Sequence, residues 1–251
     1  MYTNITRQAQ TVVEQCRAIL FPAIIGGGEP QFDPVAVSAM QSALSGAIRS
    51  CCSLTGSELN YLGVAARFAG QLAPLSEALS KDVLATYNGD PAAESLCEVV
   101  MCYPGIKAIS SYRIAHCLYQ EGVPVLPRVI TELAHSETGI DINPAATIGS
   151  SFAIDHGTGV VIGATAILGN NIKLYQGVTL GAKSFPLDAD GNPVKGIPRH
   201  PILEDNVIVY SNATILGRIT IGHDAVIGGN IWVTGDVAPG TRVVQSKTKI
   251  S

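Results

Sequence analysis

The sequence has few charged and few aromatic side chains, and it contains no concentration of positive charge. Charged residues make up 14% and aromatic residues 6% of the 251 residues, whereas apolar residues reach 47%. This balance excludes a solvated, disordered chain, and the length is sufficient to bury a substantial core. The net charge of −4 offers no basic surface for nucleic acid, and no run of Lys and Arg suits an anionic membrane.

Signals for targeting and for disulfide bonds are also scarce. The amino-terminal stretch MYTNITRQAQTVVEQC lacks the apolar segment of a signal peptide, and no segment approaches the roughly 18 apolar residues of a spanning helix. The six cysteines all precede the midpoint and have no paired C-x-x-C spacing. They are typical of small buried hydrophobes in a reducing compartment, so a cytoplasmic protein is expected.

Residues 1–138 have the spacing of an all-helical domain. Apolar residues recur three and four positions apart from Val37 to Ile48, and Asp33-Pro34 supplies a cap followed by proline at the first helical position. Breaks are predicted at residues 26–28 and 88–91. Further helices are predicted at Gly56–Lys81, Pro91–Cys102, Ile106–Glu121 and Leu126–His135.

Residues 139–240 follow a different period, which is six. Neither the helical period of 3.6 nor the strand period of 2 selects every sixth residue, so the pattern predicts a repeat architecture. Each unit forms a short strand and a tight corner, three units close a coil, and stacked coils bury an aliphatic column. The fold class is therefore α+β, a helical domain followed by a parallel β-helix, with a short tail at 241–251. Thirteen aliphatic residues define the repeat: Ile142, Ile148, Ile154, Ile162, Leu168, Leu174, Leu180, Leu203, Val209, Ile215, Ile221, Ile227 and Val233.

Two breaks in this repeat mark candidate functional residues. The step from Ile154 to Ile162 is eight residues long, and its extra length directly follows His156. The step from Leu180 to Leu203 is twenty-three residues, so about seventeen, roughly 183–200, leave the coil as a loop. Long loops in compact domains are usually functional or disordered. This one ends in Arg199-His200 between two prolines, which favours function.

Several motifs in register resemble the serine O-acetyltransferase family. They are GIDINPAATIG at 139–149, DHGTG at 155–159, YQGVTLG at 175–181 and RHP at 199–201, preceded by GDPA at 89–92 and SYRIAH at 111–116. The resemblance implies a left-handed β-helix and an obligate homotrimer with active sites between subunits, often paired as a dimer of trimers. It also implies acetyl transfer from acetyl-CoA to L-serine, the first step of cysteine biosynthesis, without a metal.

The resemblance further implies residue roles. His156 is the catalytic base, and Asp141 pairs with it. The serine-binding residues are Asp90, Asp155, Arg199 and His200. The groove for the pantetheine arm of the donor is lined by Ala182, Ser211 and Gly229. Cations near the carboxyl terminus, namely Arg242, Lys247 and Lys249, are candidates for the CoA phosphates.

These residue types suit the chemistry. A serine hydroxyl is almost never ionised at neutral pH, and histidine, with an unperturbed pKa near 6.5, is an appropriate base. A carboxylate on its other ring nitrogen fixes the tautomer and stabilises the imidazolium. Aspartates are suited to the ammonium of an amino acid, and an arginine can bind its carboxylate with two hydrogen bonds.

Departures from the family pattern keep other interpretations open. Asn143 and Ala164 stand where the family commonly has His and Glu, and the loop at 183–200 is longer. The alternatives are an acyl-CoA-dependent transferase with another small hydroxyl acceptor, a non-catalytic scaffold, and a γ-type carbonic anhydrase. The last requires three convergent histidines, which would have to be His156, His200 and His223. The family's tail ends in isoleucine and binds O-acetylserine sulfhydrylase, whereas this chain ends in Ile250-Ser251.

Overall fold

The computed structural model describes residues 2–26 and 30–245, in which a helical region precedes a β-helix. Lys247, Lys249 and the Ile250-Ser251 terminus lie outside the described residues. Seven helices come first: α1 (Tyr2–Gly26), α2 (Pro34–Thr55), α3 (Tyr61–Gly70), α4 (Leu72–Gly89), α5 (Leu96–Cys102), α6 (Pro104–Gln120) and α7 (Leu126–Thr138).

Local capping explains where several helices begin and end. The Asp33 side chain accepts a hydrogen bond from the backbone N–H of Val35, with Pro34 in the first turn, as the sequence predicts. The helix predicted over Gly56–Lys81 is wrong as a single element, because α3 ends at Gly70 and α4 begins at Leu72, with Gln71 between them. The segment also starts later than predicted, since Gly56 ends α2 in a left-handed conformation with φ of 70°. Asn60 then caps α3 through the N–H of Gly63. Likewise, α5 begins at Leu96 rather than Pro91, because Ser95 caps it.

Fourteen short strands follow and form a left-handed parallel β-helix, which confirms the fold class. They build three parallel sheets; each of the first four coils contributes one strand to each sheet, and the last coil contributes one strand to two of them. Sheet 1 contains β1 (Asp141–Ile142), β4 (Val161–Ile162), β7 (Thr179–Gly181), β10 (Thr214–Leu216) and β13 (Trp232–Val233). Sheet 2 contains β2 (Thr147–Ile148), β5 (Ile167–Leu168), β8 (Ile202–Leu203) and β11 (Thr220–Ile221). Sheet 3 contains β3 (Ala153–Asp155), β6 (Lys173–Tyr175), β9 (Ile208–Val209), β12 (Val226–Ile227) and β14 (Arg242–Val243).

The six-residue repeat forms the core of the β-helix. All thirteen repeat residues are buried, none more than 7% exposed, and they stack in register from coil to coil, as Ile142 on Ile162 and Leu180 on Ile215. We name the corners by the sheets they join: corner 1–2, corner 2–3 and corner 3–1. Residues at the same corner of successive coils lie above one another, which decides which side chains can meet.

A buried ion pair joins the helical region to the first coil. Asp82 of α4 is fully buried and accepts hydrogen bonds from Nε (2.8 Å) and Nη2 (3.0 Å) of Arg113 in α6 and from the backbone N–H of Phe152 (2.9 Å). Arg113 in turn donates to the carbonyls of Ile148 and Gly149 at distances of 2.9 and 2.6 Å. The pair therefore fixes the position of α4 and α6 against sheet 3.

All six cysteines are free thiols, in agreement with the absence of a disulfide pattern in the sequence. Cys16, Cys51 and Cys52 are buried, and burial raises the pKa of the Cys16 thiol to about 12. Within residues 2–26 and 30–245, no helix combines the length and the apolar character needed to span a bilayer.

Candidate active site

His156 lies at corner 3–1 of the first coil, where β3 ends. Its backbone is left-handed, with φ of 56°, and Gly157 and Gly159 follow with φ of 88° and 84°. A Cβ at Gly157 would lie 2.4 Å from Cδ1 of Ile140, so this tight corner requires glycine there. The eight-residue step thus forms an enlarged corner that turns the His156 side chain outward, where it is 74% exposed.

Asp155 stands beside His156 and is half-buried. Its Oδ1 lies 3.8 Å from Nε2 of His156, and its Oδ2 lies 3.2 Å from Nζ of Lys173. The carboxylate therefore faces a cation on one side and the candidate base on the other.

Asp90 reaches the same corner from the end of α4. Its Oδ1 accepts the N–H of Ala92 (2.8 Å), and its Oδ2 accepts the hydroxyl of Tyr103 (2.6 Å). These hydrogen bonds, that of Tyr103 first, hold the pKa of the Asp90 carboxyl below its usual range. The same bond raises the pKa of Tyr103 to about 12. Asp90 is therefore ionised and oriented at neutral pH.

The approach of α6 to the β-helix completes this cluster. A Cβ at Gly105 would lie 2.3 Å from the carbonyl oxygen of Ile154, so only glycine allows α6 to pack this closely against β3. Tyr103, two residues earlier, thereby lines the same narrow cleft as Asp90, Asp155 and Lys173. Two of the predicted serine-binding residues and the predicted base thus meet at one corner.

Asp141 has a different partner in this chain. Its Oδ1 lies 3.3 Å from Nη1 of Arg128, which also forms an ion pair with Glu132. The hydrogen bonds among the described residues include none between Asp141 and His156, so their pairing stays a prediction. Residues 2–26 and 30–245 contain one group of three possible metal ligands, Glu132, His135 and Asp141. Arg128 forms ion pairs with both carboxylates of this group and so compensates part of their negative charge.

His200 is buried at corner 1–2, away from His156. Its Nδ1 accepts the N–H of Thr165 at 3.1 Å, and its ring packs so closely on Gly163 that a Cβ there would be 2.0 Å away. Burial, together with the positive charges of Arg199 and Arg218, lowers the pKa of His200 to about 4. His200 is therefore neutral at physiological pH, with its proton on Nε2.

Arg199 lies at the same corner, held by its backbone N–H on Oγ1 of Thr165 (2.9 Å). Its Nε is buried and has no hydrogen-bond partner among the described residues. The guanidinium carbon is 5.8 Å from the centroid of the Phe185 ring, within cation–π range. The described residues thus leave one hydrogen-bond donor of this guanidinium unsatisfied.

The loop that leaves the coil at this corner has internal structure. Leu187 and Pro193 form an antiparallel bridge, and Oδ1 of Asp188 accepts the N–H groups of Asp190 and Asn192. A cavity of about 640 Å³ lies between this hairpin and Arg199. The loop is therefore a folded hairpin that stands over Arg199.

The three residues predicted to contact pantetheine lie at two corners. Ser211 and Gly229 are in successive coils at corner 3–1, above His156, where the carbonyl of Ser211 accepts the N–H of Asn230 (2.9 Å). Ala182 follows β7 at corner 1–2, beside the hairpin. Two corners of one coil are separated by one side of the coil, on the order of 15 Å. Ala182 therefore cannot line the same narrow groove as Ser211 and Gly229 of its own chain.

Lys173 and Tyr103 belong to the cluster but carry no sequence motif that we identified. The first coil is twenty residues long, which pairs Asp155 with Tyr175 and Ala153 with Lys173. That register could have indicated a lysine beside Asp155. The contact of Tyr103 with Asp90 had no such signal, because it depends on the docking of two helices. The histidines required for an anhydrase, His156, His200 and His223, lie at three different corners.

Comparisons with known proteins identify relatives of this chain, although no protein-family profile matches it. A plasmid-encoded serine acetyltransferase of Synechococcus elongatus is 46% identical over 236 residues, which are 94% of this chain and 68% of the relative. A serine acetyltransferase of Bacillus subtilis is 41% identical over 180 residues, 68% of this chain and 79% of the relative.

Two solved structures extend the comparison to the fold. Serine acetyltransferase 1 of Entamoeba histolytica, in complex with L-cysteine, superposes with a TM-score of 0.79 at 36% identity, covering 93% of this chain and 86% of the other. Serine acetyltransferase of Neisseria gonorrhoeae, in complex with serine, gives a TM-score of 0.65 at 30% identity, covering 95% of each chain. The chain therefore belongs to the serine acetyltransferase family.

Proposed function

We propose that this protein transfers the acetyl group of acetyl-CoA to the hydroxyl of L-serine, giving O-acetylserine and CoA, the first step of cysteine biosynthesis. The observation that carries the proposal is that Asp90, Asp155 and His156 lie together at corner 3–1. Asp155 and His156 belong to the β-helix, whereas Asp90 follows α4 of the helical region. Two carboxylates beside an exposed imidazole suit a substrate with an ammonium group next to a hydroxyl. The S. elongatus, B. subtilis and N. gonorrhoeae relatives named above support the same activity.

His156 acts as the general base in this proposal. It takes the proton of the serine hydroxyl as the oxygen attacks the thioester carbonyl, and the tetrahedral intermediate then expels the CoA thiolate. The imidazolium returns the proton, so free CoA leaves as a thiol. Binding both substrates at one corner avoids a bimolecular encounter. Asp141 is proposed to orient His156 once both substrates are bound.

Acceptance of serine is tested by thiol release from acetyl-CoA with a panel of amino acids and sugars. We expect serine to give the highest kcat/KM, because Asp90 and Asp155 require an ammonium and Arg199 requires a carboxylate. Sugars, which lack both charges, serve as the control acceptors. Thiol release that does not depend on serine, or that is fastest with a sugar, would show that the acceptor is misassigned.

A homotrimer with sites between subunits is the second part of the proposal. The His156 side chain is 74% exposed in one chain, and Arg199 has an unpaired Nε at a different corner. In a trimer with threefold symmetry, each interface is heterologous, so corner 1–2 of one subunit would pack against corner 3–1 of the next. Arg199 and His200 of the neighbour would then bind the serine carboxylate, and the neighbour's Ala182 would face Ser211 and Gly229 across the pantetheine groove.

Mixed trimers test this arrangement directly. We expect His156→Ala and Arg199→Ala homotrimers to be almost inactive, and trimers purified through one tag on each variant to recover about a third of wild-type activity. The reason is geometric, since every mixed ring has one interface at which both residues are intact. Homotrimers mixed without exchange of subunits are the control. No recovery in verified mixed trimers would place both residues in a site within one chain.

Other parts of the assignment stay predictions. They are the pairing of two trimers through the helical domains, the binding of O-acetylserine sulfhydrylase by the carboxyl-terminal residues, and the contact of Arg242 with CoA phosphates. A cytoplasmic location is also a prediction. It is supported by six unpaired thiols and by the proposed use of acetyl-CoA.

A further inference from the structure

We propose that Lys173 is a positioning residue of this active site, which compensates the charge of Asp155 and ties the segment carrying Asp90 to the β-helix. The inference rests on the proposed function and deepens it. Lys173 contacts Asp155 and the carbonyl of Gly89, the residue before Asp90, so its effect on the reaction passes through the two aspartates and His156.

The contacts of Lys173 are those of a fixed cation. Its Nζ donates to the carbonyl of Gly89 at 2.7 Å and lies 3.2 Å from Oδ2 of Asp155. It also lies 4.6 Å from the centroid of the Tyr175 ring, within cation–π range. The side chains of Lys173 and Asp155 are each 18% exposed, so their interaction is only partly screened by water. A single ammonium thus joins α4 to sheet 3.

The position of Lys173 in the β-helix explains how it reaches both partners. It lies on β6 opposite Ala153 of β3, and the small Ala153 side chain is buried. Asp155 is two residues further along β3 on the same face. A lysine stem that crosses Ala153 therefore brings its ammonium to Asp155 and, on the other side, to the end of α4.

Charge balance gives the reason for a cation at this place. Asp90 and Asp155 together carry two negative charges, whereas the serine ammonium carries one positive charge. With Lys173 present, the cluster has one uncompensated carboxylate, which matches the substrate. Without it, a second carboxylate would favour the imidazolium form of His156, and an imidazolium cannot accept the serine proton.

The titratable groups that face this cluster come from five elements. Burial alone would lower the pKa of Lys173, but its interactions with Tyr175 and Asp155 outweigh burial and raise the pKa, so the side chain is charged at neutral pH. The groups are Asp90 after α4, Glu98 of α5, Tyr103 before α6, Asp155 and His156 at β3, and Lys173 and Tyr175 of β6.

The test compares Lys173→Gln with Lys173→Arg in the thiol-release assay across pH. For Lys173→Gln we expect the acidic limb of the kcat/KM profile to move to higher pH by about one unit. We also expect the KM for serine to rise about five-fold or more, as Asp90 loses its anchor, with the KM for acetyl-CoA changed less than about two-fold. Lys173→Arg keeps the charge and should return the acidic limb towards the wild-type position.

Lys81→Gln is the matched control, because Lys81 lines the same side of α4 but pairs with Glu77. It should behave as the wild type. An unchanged acidic limb and an unchanged KM for serine in Lys173→Gln would overturn the inference and leave the proposed function intact. Should Lys173→Gln and Lys173→Met both fail to fold while Lys173→Arg folds, the residue is structural and the inference also fails. Absence of serine-dependent activity in the wild type is a separate result, since it refutes the function itself.

Discussion

His156→Ala should lower kcat for serine acetylation by about 10²–10⁴-fold, the range typical of a positioned general base. The KM values for serine and acetyl-CoA should change little, because Asp90, Asp155 and the pantetheine groove remain. The side chain projects from a corner whose backbone is set by three positive-φ positions, 156, 157 and 159, so its removal leaves the coil unchanged. Steady-state kinetics with both substrates varied measures the two effects separately.

His223→Ala is the matched control for this variant. His223 is also an exposed corner histidine, and its Nδ1 lies 2.7 Å from Oδ2 of Asp224, but it is at corner 2–3. Its loss should leave kcat within about two-fold of wild type. Retention of more than a tenth of the activity in His156→Ala would mean that another group removes the proton.

Asp82→Ala should destabilise the protein by about 3–5 kcal/mol, the cost of removing one partner from a buried ion pair. Arg113 would keep its hydrogen bonds to the carbonyls of Ile148 and Gly149, yet it would be left in the core without a counter-charge. The N–H of Phe152 would also lose its acceptor. A fall in the thermal midpoint on the order of 10 °C is expected at equal protein concentration.

Glu77→Ala provides the comparison on the same helix. Glu77 pairs with Lys81 on the surface, with the two side chains 69% and 48% exposed, and exposed pairs contribute only about 0–1 kcal/mol. A midpoint for Asp82→Ala close to that of Glu77→Ala would contradict the assigned role of the buried pair. Because α4 also carries Asp90 at its end, Asp82→Ala should raise the KM for serine as well.

The sequence alone identified the β-helix because its signal is local and repetitive. A unit of six residues has room for one inward side chain, so the apolar residue at that place must be the buried one. Because the repeat is regular, departures from it were visible in the sequence. They lie at the eight-residue step that contains His156 and at the hairpin that ends in Arg199-His200. Both departures lie at corners of the β-helix, where the His156 side chain is exposed and the His200 ring is buried against Gly163.

The helical half was less predictable from the same kind of pattern. The apolar spacing over residues 56–81 continues across two helices, and only the structure shows that α3 begins after its cap at Asn60 and ends at Gly70, before α4 begins at Leu72. Capping side chains act over two or three residues, whereas helical periodicity is averaged over a longer window. The sequence therefore predicted that helices are present in this region, whereas their boundaries came from the structure.

The sequence by itself determined the repeat, the inward column and the candidate base. Only the tertiary structure decided which residues surround that base. Lys173 meets Gly89 and Asp155, and Tyr103 meets Asp90, because α4 and α6 dock on sheet 3 through Asp82 and through the close approach at Gly105. Those contacts join positions far apart in the chain, and they are set by packing between elements, which no period in the sequence encodes.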